Sequence, residues 1–476
     1  MSTKKIIIIA LIVIIAISPF VISSWQNDSE ETENTLKTDI FDYYEKLRVK
    51  YDSANSEAEL KEVIKSFSES LGFKVNDLGN GNLKFSIKPS EGYSKAKSTT
   101  LQIGYSTEYK KDSSQVAAIA LATLKNSTNH GKINVLITPE NKKATTSVSK
   151  ISKEDLQTDN FINLTKWSKN AIFNGSSMTK DYKITKGLHR NIPNGNKAYE
   201  IKIDNMIKSD SGDRTEKHTN PIVFIGDILA SAKASGTVME IASFEGGNKV
   251  TDYPTSAKAV VVIDGSSEKK FTNKLAASKT SFRDKNRNRD ADATFEYKEV
   301  PVPSQVLSLN DTSRLLSLLY TLVDGIYATT EEDYEGDVLA LSTISSIKTG
   351  DFAELHAIGR SVDNAITKDM DNTFKTTSNL SDFTSSSQNR YPLWKADVTG
   401  ENNDVQSEFT IQVQDAFEKH NIKPTPRYNF VESDCAVFKE INPSLEIISI
   451  GVNIENAYDQ ASGLVTLFEN MKPTEK

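Results

Sequence analysis

The sequence contains little of what metal and redox sites in proteins are built from. Its 476 residues include one cysteine, Cys435, and five histidines. A single cysteine excludes a disulfide within the chain and a zinc cluster held by several thiolates. Basic residues are in the minority, because 57 Lys and Arg stand against 64 Asp and Glu, for a net charge of -7. Since no Lys/Arg cluster offsets this charge, we expect no nucleic-acid partner.

The composition and the N-terminus indicate a globular body outside the cytoplasm. Hydrophobic residues make up 37% of the chain and charged residues 25%, as in folded soluble domains. Lys4 and Lys5 precede an uncharged apolar run at residues 6–22, which predicts a signal peptide or membrane anchor over residues 1–24. A polar tether is expected at 25–38. Because the positive flank stays inside, we expect an extracytoplasmic protein that is anchored through this segment only, or secreted.

Helix and strand signals alternate in the first part of the chain. A capping box, Ser56 and Glu59, opens an apolar-striped helix that ends at Gly72. A hairpin turn is predicted at residues 79–81. The next elements are predicted from apolar periodicity: strands at 99–105, 132–138 and 161–164, and a helix at 113–126. This order predicts a mostly parallel sheet with helices on both faces.

Residues 198–375 follow a different rhythm, in which alternating strands mix with two helical segments. This pattern predicts a separate α+β domain inserted into the first. A polar stretch at 376–389 closes the insertion. Helix and strand alternation then returns, with helices predicted at 403–420 and 459–471 and strands at 427–432 and 445–451. No internal repeat is visible in the sequence.

Several segments match the motifs of one peptidase family. TLQIGYS stands in the place of Leu-Gln-x-His-x-Asp, and DSSQVAAIALATL in the place of Asp-Asn-Gly-x-Gly before Ala-Leu-Ala-x-Leu. NVLITPENK is similar to a strand with paired glutamates, FINLT to a strand ending in Asn-x-Asp, and LEIISIG to a segment ending in Ser-Ile-Gly. Over most of residues 40–476 the chain thus resembles the aminoacyl-histidine dipeptidases, carnosinase-like di-zinc exopeptidases. The resemblance implies an α/β fold, a zinc-exopeptidase-like α/β/α sandwich with an inserted α+β lid or dimerisation domain.

The same resemblance implies where the family's metal ligands fall. The first histidine falls on Gly104, the bridging aspartate on Asp112, and the next aspartate on Thr165. The glutamate base and its neighbouring glutamate fall on Asn141 and Lys142. The last histidine falls within residues 452–460, which contain none.

A dinuclear zinc centre needs histidines, a bridging carboxylate and a glutamate base. Asp112 alone keeps a usable group, and Lys142 puts a cation where a dication belongs. We therefore expect the metal site to be lost, with Asp112 as a vestigial ligand. Glu108 and Glu140 are the nearest acids, and no histidine lies close to either in the sequence.

The lid carries the remaining candidate residues. The family's His-Ser-Gly-Gly appears as DSGD, so that Asp210 replaces the histidine while Ser211 and Gly212 remain. A negative charge at Asp210 opposes the stabilisation of an oxyanion, and His218 is a weak substitute. Arg360 matches the lid arginine that reads the substrate carboxylate in the family. An ion pair with a lid acid such as Asp363 is an equal alternative.

Several residues have a plainer interpretation than a functional one. Asp112 stands before a helix, where an N-cap is favoured over a ligand. The five histidines are scattered and are expected to be surface or hydrogen-bonded residues. Residues 284–292 have some features of a calcium loop but lack its glycine and closing glutamate, so a solvated loop is expected. Cys435 is expected to be a buried small residue rather than a nucleophile.

The sequence therefore predicts a split catalytic-like domain, residues 39–190 and 379–476, around a lid domain at 191–378. Three functions stay open. The first is an inactive pseudo-peptidase that binds a peptide or protein partner and needs no cofactor. The second is a working dipeptidase with replaced ligands and zinc as its cofactor. The third is a structural or interaction protein that forms a homodimer through the lid.

Overall fold

A computed structural model describes residues 35–140, 147–167, 170–209, 219–330, 338–395, 398–399, 405–424, 426–430 and 433–471. The described residues fall into two compact units. The first lies within Met1–Asn174, Ala396–Arg427 and Val437–Lys476, and the second within Gly175–Lys395 and Tyr428–Ala436. No helix in the described part of the chain is long and apolar enough to cross a membrane. The expected signal peptide or anchor at 1–24 lies outside the described residues.

The helices and strands are numbered in chain order. The helices are α1 (residues 35–53), α2 (Glu57–Ser70), α3 (Lys110–Asn126), α4 (Pro221–Ala234), α5 (Glu268–Asn286), α6 (Leu309–Thr321), α7 (Asn364–Leu380), α8 (Glu408–Glu418), α9 (Asp434–Ile441) and α10 (Ala457–Asn470). The strands are β1 (Asn76–Gly79), β2 (Asn82–Ile87), β3 (Thr99–Tyr105), β4 (Ile133–Pro139), β5 (Asn160–Lys166), β6 (Ala171–Ser176), β7 (Met178–Gly187), β8 (Arg190–Asn191), β9 (Lys197–Asp204), β10 (Met239–Gly246), β11 (Ala257–Ile263), β12 (Thr294–Val300), β13 (Val306–Leu307), β14 (Gly325–Thr329), β15 (Val338–Thr349), β16 (Phe352–Ser361), β17 (Thr384–Tyr391), β18 (Val398–Thr399), β19 (Val405–Gln406), β20 (Pro426–Asn429) and β21 (Glu446–Val452).

The first unit is built on an eight-stranded mixed sheet in the order β1-β2-β4-β3-β5-β21-β6-β20. Its four central strands, β4, β3, β5 and β21, run parallel to one another. Helix α3 packs on β3 and β5, and its small residues Ala117 and Ala120 are fully buried there. Continuous apolar strands need helices to cover them. The expected α/β/α sandwich is confirmed.

Local signals set the bounds of the early elements. Ser56 caps α2, because its hydroxyl accepts a hydrogen bond from the Glu59 N–H at 3.2 Å. The Glu59 carboxylate reaches back to the Asn55 N–H at 2.7 Å, which gives both donors a partner. The hairpin turn falls at residues 79–81, as predicted, and all three have positive φ. Asn80 and its flanking glycines tolerate that conformation, so the turn forms there.

The second unit contains a nine-stranded antiparallel sheet made of two like halves of four strands each and of β14, which pairs with β15. The first half runs β9-α4-β10-β11-α5-β12 along the chain and has the spatial order β12-β9-β11-β10. The second half uses β7, α6, β15, β16, α7 and β17 and has the spatial order β15-β16-β7-β17. Each half is a βαββαβ unit with its fourth strand beside its first. Their second strands, β10 and β15, join the halves through Glu245↔Lys348 and Gly246↔Ile347. The repeat that the sequence does not reveal is therefore present in the topology.

Three expectations differ from the structure. The polar stretch 376–389 is not a connection, because it contains the end of α7 and most of β17. Pairing with β7 holds β17 in place, so neighbouring structure overrides a sequence with little strand propensity. Residues 35–38 of the expected tether belong to α1, where Leu36 is buried. In the expected solvated loop, Asp290 is buried and accepts a hydrogen bond from the Ile207 N–H at 2.8 Å.

Candidate functional site

The carboxyl ends of the four parallel strands place two levels of side chains on one face of the first sheet. Alternate residues of a strand share a face, and the register of β3, β5 and β21 defines two levels on it. The inner level consists of Gln102, Asn163 and Ser449, together with Thr138, which is opposite Gly104 in the register of β4 and bonds back to Gln102. The outer level lies at the edge and consists of Gly104, Thr165 and Gly451, together with Glu140, which directly follows β4. The family's first histidine and its second aspartate fall on the outer level.

The inner level is a continuous chain of buried hydrogen bonds. Gln102 donates to the Thr138 hydroxyl at 3.0 Å, and its own carbonyl oxygen accepts from the Asn163 amide. The Asn163 carbonyl oxygen then accepts from the Ser449 hydroxyl. All four side chains are buried, and every one of them has a partner in the chain. The chain crosses all four parallel strands and fixes their relative register, because an unpaired polar group there is costly.

The Glu140 side chain occupies the space at the outer level, above Gly104. A Cβ atom on Gly104 would overlap the carboxylate of Glu140, whose side chain lies directly against the glycine. The Glu140 N–H donates to the Tyr105 carbonyl at 2.8 Å, which extends the pairing beyond β4. Burial, and then the neighbouring Tyr105 and Glu140, raise the pKa of Tyr51 far above its ordinary value. The volume that a histidine at position 104 requires is thus occupied by an acid from the next strand.

Asp112 lies beside a lysine that the sequence reasoning missed. It sits in the first turn of α3, whose N-cap is Tyr109, and no side-chain bond caps this helix. The favoured N-cap interpretation of Asp112 is therefore wrong. The Lys166 ammonium lies 3.9 Å from the Asp112 carboxylate and donates to the Gln115 carbonyl oxygen at 2.8 Å. The cation next to the Asp112 carboxylate is therefore the Lys166 ammonium, which carries a single charge. The feature of the sequence that indicates Lys166 as a neighbour of this site is its position directly after Thr165, at the end of β5.

Neutral amide side chains lie in and near residues 452–460, the range in which the resemblance places the family's last histidine. The Gln460 amide donates to the Asn170 side chain at 2.8 Å, and its carbonyl oxygen accepts from the Asn453 N–H at 2.9 Å. At the outer level, a Cβ atom on Gly451 would come within 2.6 Å of the Trp167 Cβ. Amides are poor ligands for a zinc ion, and Trp167 leaves little room at Gly451.

The lid candidates lie partly outside the described residues. Asp210, Ser211, Gly212 and His218 fall in a range that the structure does not describe. Arg360 lies on β16, with Thr179 on β7 and Leu341 on β15 as its register partners. Its side chain is completely buried. Asp363, the alternative ion-pair partner, caps α7 by accepting hydrogen bonds from the Ala365 and Ile366 N–H groups.

The histidines and the cysteine have the structural roles expected of them, as far as they are described. The four described histidines each have a hydrogen-bond partner: Gly131 for His130, Asp311 for His189, Glu354 for His356, and Thr466 for His420. Burial raises the pKa of the Cys435 thiol to about 12. A thiol with that pKa is not a nucleophile at neutral pH.

These residues do not fit the dinuclear metal centre that the resemblance implies. Within the described part of the chain, no three His, Cys, Asp or Glu side chains are grouped so as to hold a metal ion. At the sheet edge the donors are Asp112, which is paired with an ammonium, and Glu140, which is packed on a glycine. Two dications need several histidines and acids converging on one point, and the described edge does not supply them.

Comparison with known proteins shows the fold. No protein-family model and no curated protein sequence matches this chain. Among solved structures, the aminoacylhistidine dipeptidase from Vibrio alginolyticus matches over 88% of this chain and 93% of its own, with 19% identity and a TM-score of 0.68. A tripeptidase from Staphylococcus aureus matches over 92% and 98%, with 11% identity and a TM-score of 0.49. An M20 family metallo-carboxypeptidase from Sulfolobus solfataricus matches over 87% and 96%, with 11% identity and a TM-score of 0.45.

The chain has the fold of the aminoacylhistidine dipeptidase from Vibrio alginolyticus. At 19% identity and below, this likeness concerns the fold alone. Function has to be argued from the residues at the sheet edge and on the lid.

Proposed function

We propose that this protein is a catalytically inactive relative of the aminoacyl-histidine dipeptidases that binds a peptide or protein ligand. The observation that carries the proposal is the outer level of the sheet edge. Glu140 fills the volume over Gly104 there, and the Lys166 ammonium neighbours Asp112. Hydrolysis of a peptide bond by this fold needs a metal-activated water and a glutamate base. Asn141 and Lys142 stand in the sequence at the positions that match that glutamate pair.

Ligand binding is supported by Arg360. Its guanidinium stands at the sequence position that matches the lid arginine of the aminoacyl-histidine dipeptidases. Its planar fork, with five N–H donors, suits the terminal carboxylate of a peptide and leaves donors for partners in the protein. In this proposal Ser211 and Gly212 complete the ligand contacts of the lid.

The proposal extends to location and assembly. The basic start and the apolar run at residues 6–22 support an extracytoplasmic protein that is anchored or secreted. A homodimer through the lid would use the edge strands β12 or β17, since β10 and β15 pair with each other within one chain.

The test combines metal analysis, an assay and ligand binding on the full chain, purified in mild detergent. We expect no stoichiometric zinc by elemental analysis and no hydrolysis of Xaa-His dipeptides with added zinc, cobalt or manganese. A dipeptide at 100 times its Kd is expected to stabilise the protein by about 2.7 kcal/mol in a thermal shift experiment. Stoichiometric metal with turnover would make the protein an active metallo-dipeptidase. Absence of both turnover and stabilisation would favour a structural role.

Two variants locate the ligand. Arg360→Ala removes the guanidinium, and Arg360→Lys keeps a positive charge without the fork. We expect stabilisation by the dipeptide to vanish in the first variant and to weaken in the second, because a lysine cannot bind a carboxylate through two parallel N–H bonds. Unchanged stabilisation in both variants would place the ligand elsewhere.

A further inference from the structure

The two halves of the nine-stranded sheet of the second unit, called the lid sheet here, differ at two positions on the face that the described helices do not cover. In the second half, a Cβ atom on Gly359 would come within 2.8 Å of Met370 in α7, so Gly359 marks the helix-covered face. Arg360, its neighbour on β16, therefore points to the other face. Thr179 is opposite Arg360 in the register and shares this face, as does Asp181 two residues along β7. The second half thus places a cation, a hydroxyl and an acid side by side.

The first half is apolar at only some of the corresponding positions. Its buried cluster on this face consists of Ala198, Ala242, Val262 and Val306, and the register partners Val262 and Ala198 stand where the second half has Arg360 and Thr179. Glu200 stands where the second half has Asp181, and it pairs with Lys298 at 3.1 Å. Val306 belongs to β13, a short strand that packs over β10. Two halves with the same topology therefore differ at the positions of Arg360 and Thr179, and polar residues at these two positions are not a requirement of the fold.

Several polar atoms on this face of the second half are buried without a hydrogen-bond partner among the described residues. They include the Thr179 hydroxyl and one carboxylate oxygen of Asp181, Oδ1. The other Asp181 oxygen accepts a hydrogen bond from Arg390 at 3.0 Å. Buried polar atoms in proteins are nearly always paired, so these atoms require a partner from outside the described chain, which is water, an ion or a ligand. Oδ1 is an acceptor, so the molecule that completes it has to supply a donor.

We propose that Asp181 is a specificity-determining residue, which selects ligands whose C-terminal residue carries a hydrogen-bond donor on its side chain. The inference rests on the proposed function, in which Arg360 binds the terminal carboxylate. Asp181 lies about 7 Å further along the same face, at two residues of about 3.4 Å each. A glutamine, lysine or histidine side chain spans that distance from its own carboxylate. The Thr179 hydroxyl lies between Arg360 and Asp181. It can donate a hydrogen bond to the terminal carboxylate of the ligand and accept one from the ligand's side chain.

Isosteric dipeptides test the inference by isothermal titration calorimetry on the full chain, with a chelator present to prevent any hydrolysis. Ala-Gln supplies a donor, Ala-Met has similar length without one, and Ala-Glu brings a second acceptor and a negative charge. We expect Ala-Gln to bind about tenfold more tightly than Ala-Met, with Ala-Glu the weakest. Equal binding of all three would overturn the inference and leave the proposed function standing. Binding of none would overturn the proposed function itself.

A matched pair of variants assigns the preference to one carboxylate. In Asp181→Asn the amide oxygen stays with Arg390, so that the NH₂ group takes the place of Oδ1 and becomes a donor. We expect this variant to prefer Ala-Glu over Ala-Gln. Glu354→Gln alters another acid of the same face, which pairs with Lys183 at 2.6 Å, and should keep the wild-type order. The same order of affinities in both variants would exclude Asp181. Should Asp181→Asn not fold, the order of the three dipeptides in the wild-type protein still decides.

Discussion

The carboxyl edge of the first sheet and the helix-free face of the lid's second half hold their charges in different ways. At the sheet edge, Lys166 and Asp112 form a partly exposed pair, with 30% and 42% of their side chains accessible. On the lid, Arg360 is completely buried, whereas the pair of Arg390 and Asp181 keeps 15% and 29% of its side chains accessible. Exposed pairs contribute little to stability, whereas buried charges persist only when their surroundings hold them. The lid therefore retains a demanding charged arrangement, while the edge does not.

The largest expected effect is that of Arg360→Met, which removes the buried charge of the lid. The groups that bond to the guanidinium lose their partner, so we expect the free energy of unfolding to fall by about 3 kcal/mol. Urea denaturation measures the change. A loss below about 0.5 kcal/mol is typical of an ordinary surface substitution. Such a result would show that the Arg360 charge contributes no more to stability than the charges at the sheet edge do.

An intermediate effect is expected at Gly104. In Gly104→Ala the new methyl group meets the Glu140 carboxylate, and we expect a loss of about 1–3 kcal/mol from overpacking. Gly350→Ala is the matched control, because a Cβ atom there has no neighbour within 4 Å. Denaturation of both variants in urea compares them. Adding Glu140→Ala to Gly104→Ala should recover part of the loss, and equal stability of the two alanine variants would contradict the close contact.

The smallest effect is expected for the pair at the sheet edge. Lys166→Met and Asp112→Asn, combined in a double-mutant cycle, should give a coupling energy of about 0.5 kcal/mol that decreases with added salt. Thermal or urea denaturation at two salt concentrations measures it. A coupling energy above about 2 kcal/mol that does not respond to salt would mean that this pair is as desolvated as the charges of the lid.

Patterns along the chain were enough to predict the first sheet. β3 runs from Thr99 to Tyr105 as expected, and the strands predicted at 132–138 and 445–451 appear as β4 and β21 within a residue. Continuous apolar runs, the cap at Ser56 and the turn at Asn80 are local signals, which neighbouring structure did not override. The polar strand β17 had no such signal, because only its pairing with β7 makes it a strand.

The residues of the candidate site were harder to predict, because they depend on contacts between strands. Position 104 could be identified as glycine from the sequence, but the approach of Glu140 to it depends on the register of β3 and β4. Lys166 reaches Asp112 from the end of another strand. The lid repeat escaped notice for a related reason: one half carries Val262 and the other Arg360 at corresponding positions. Equal topology with different residues at corresponding positions leaves little common sequence pattern to detect.

The packing of Glu140 against Gly104 has a consequence for any attempt to place a metal ligand at this edge. A single change that puts a histidine at position 104 must displace a carboxylate that already occupies the space. Removing the carboxylate first leaves a void above a glycine, which also costs stability. Each single change therefore lowers stability, and both positions have to change together before the edge accommodates an imidazole at position 104.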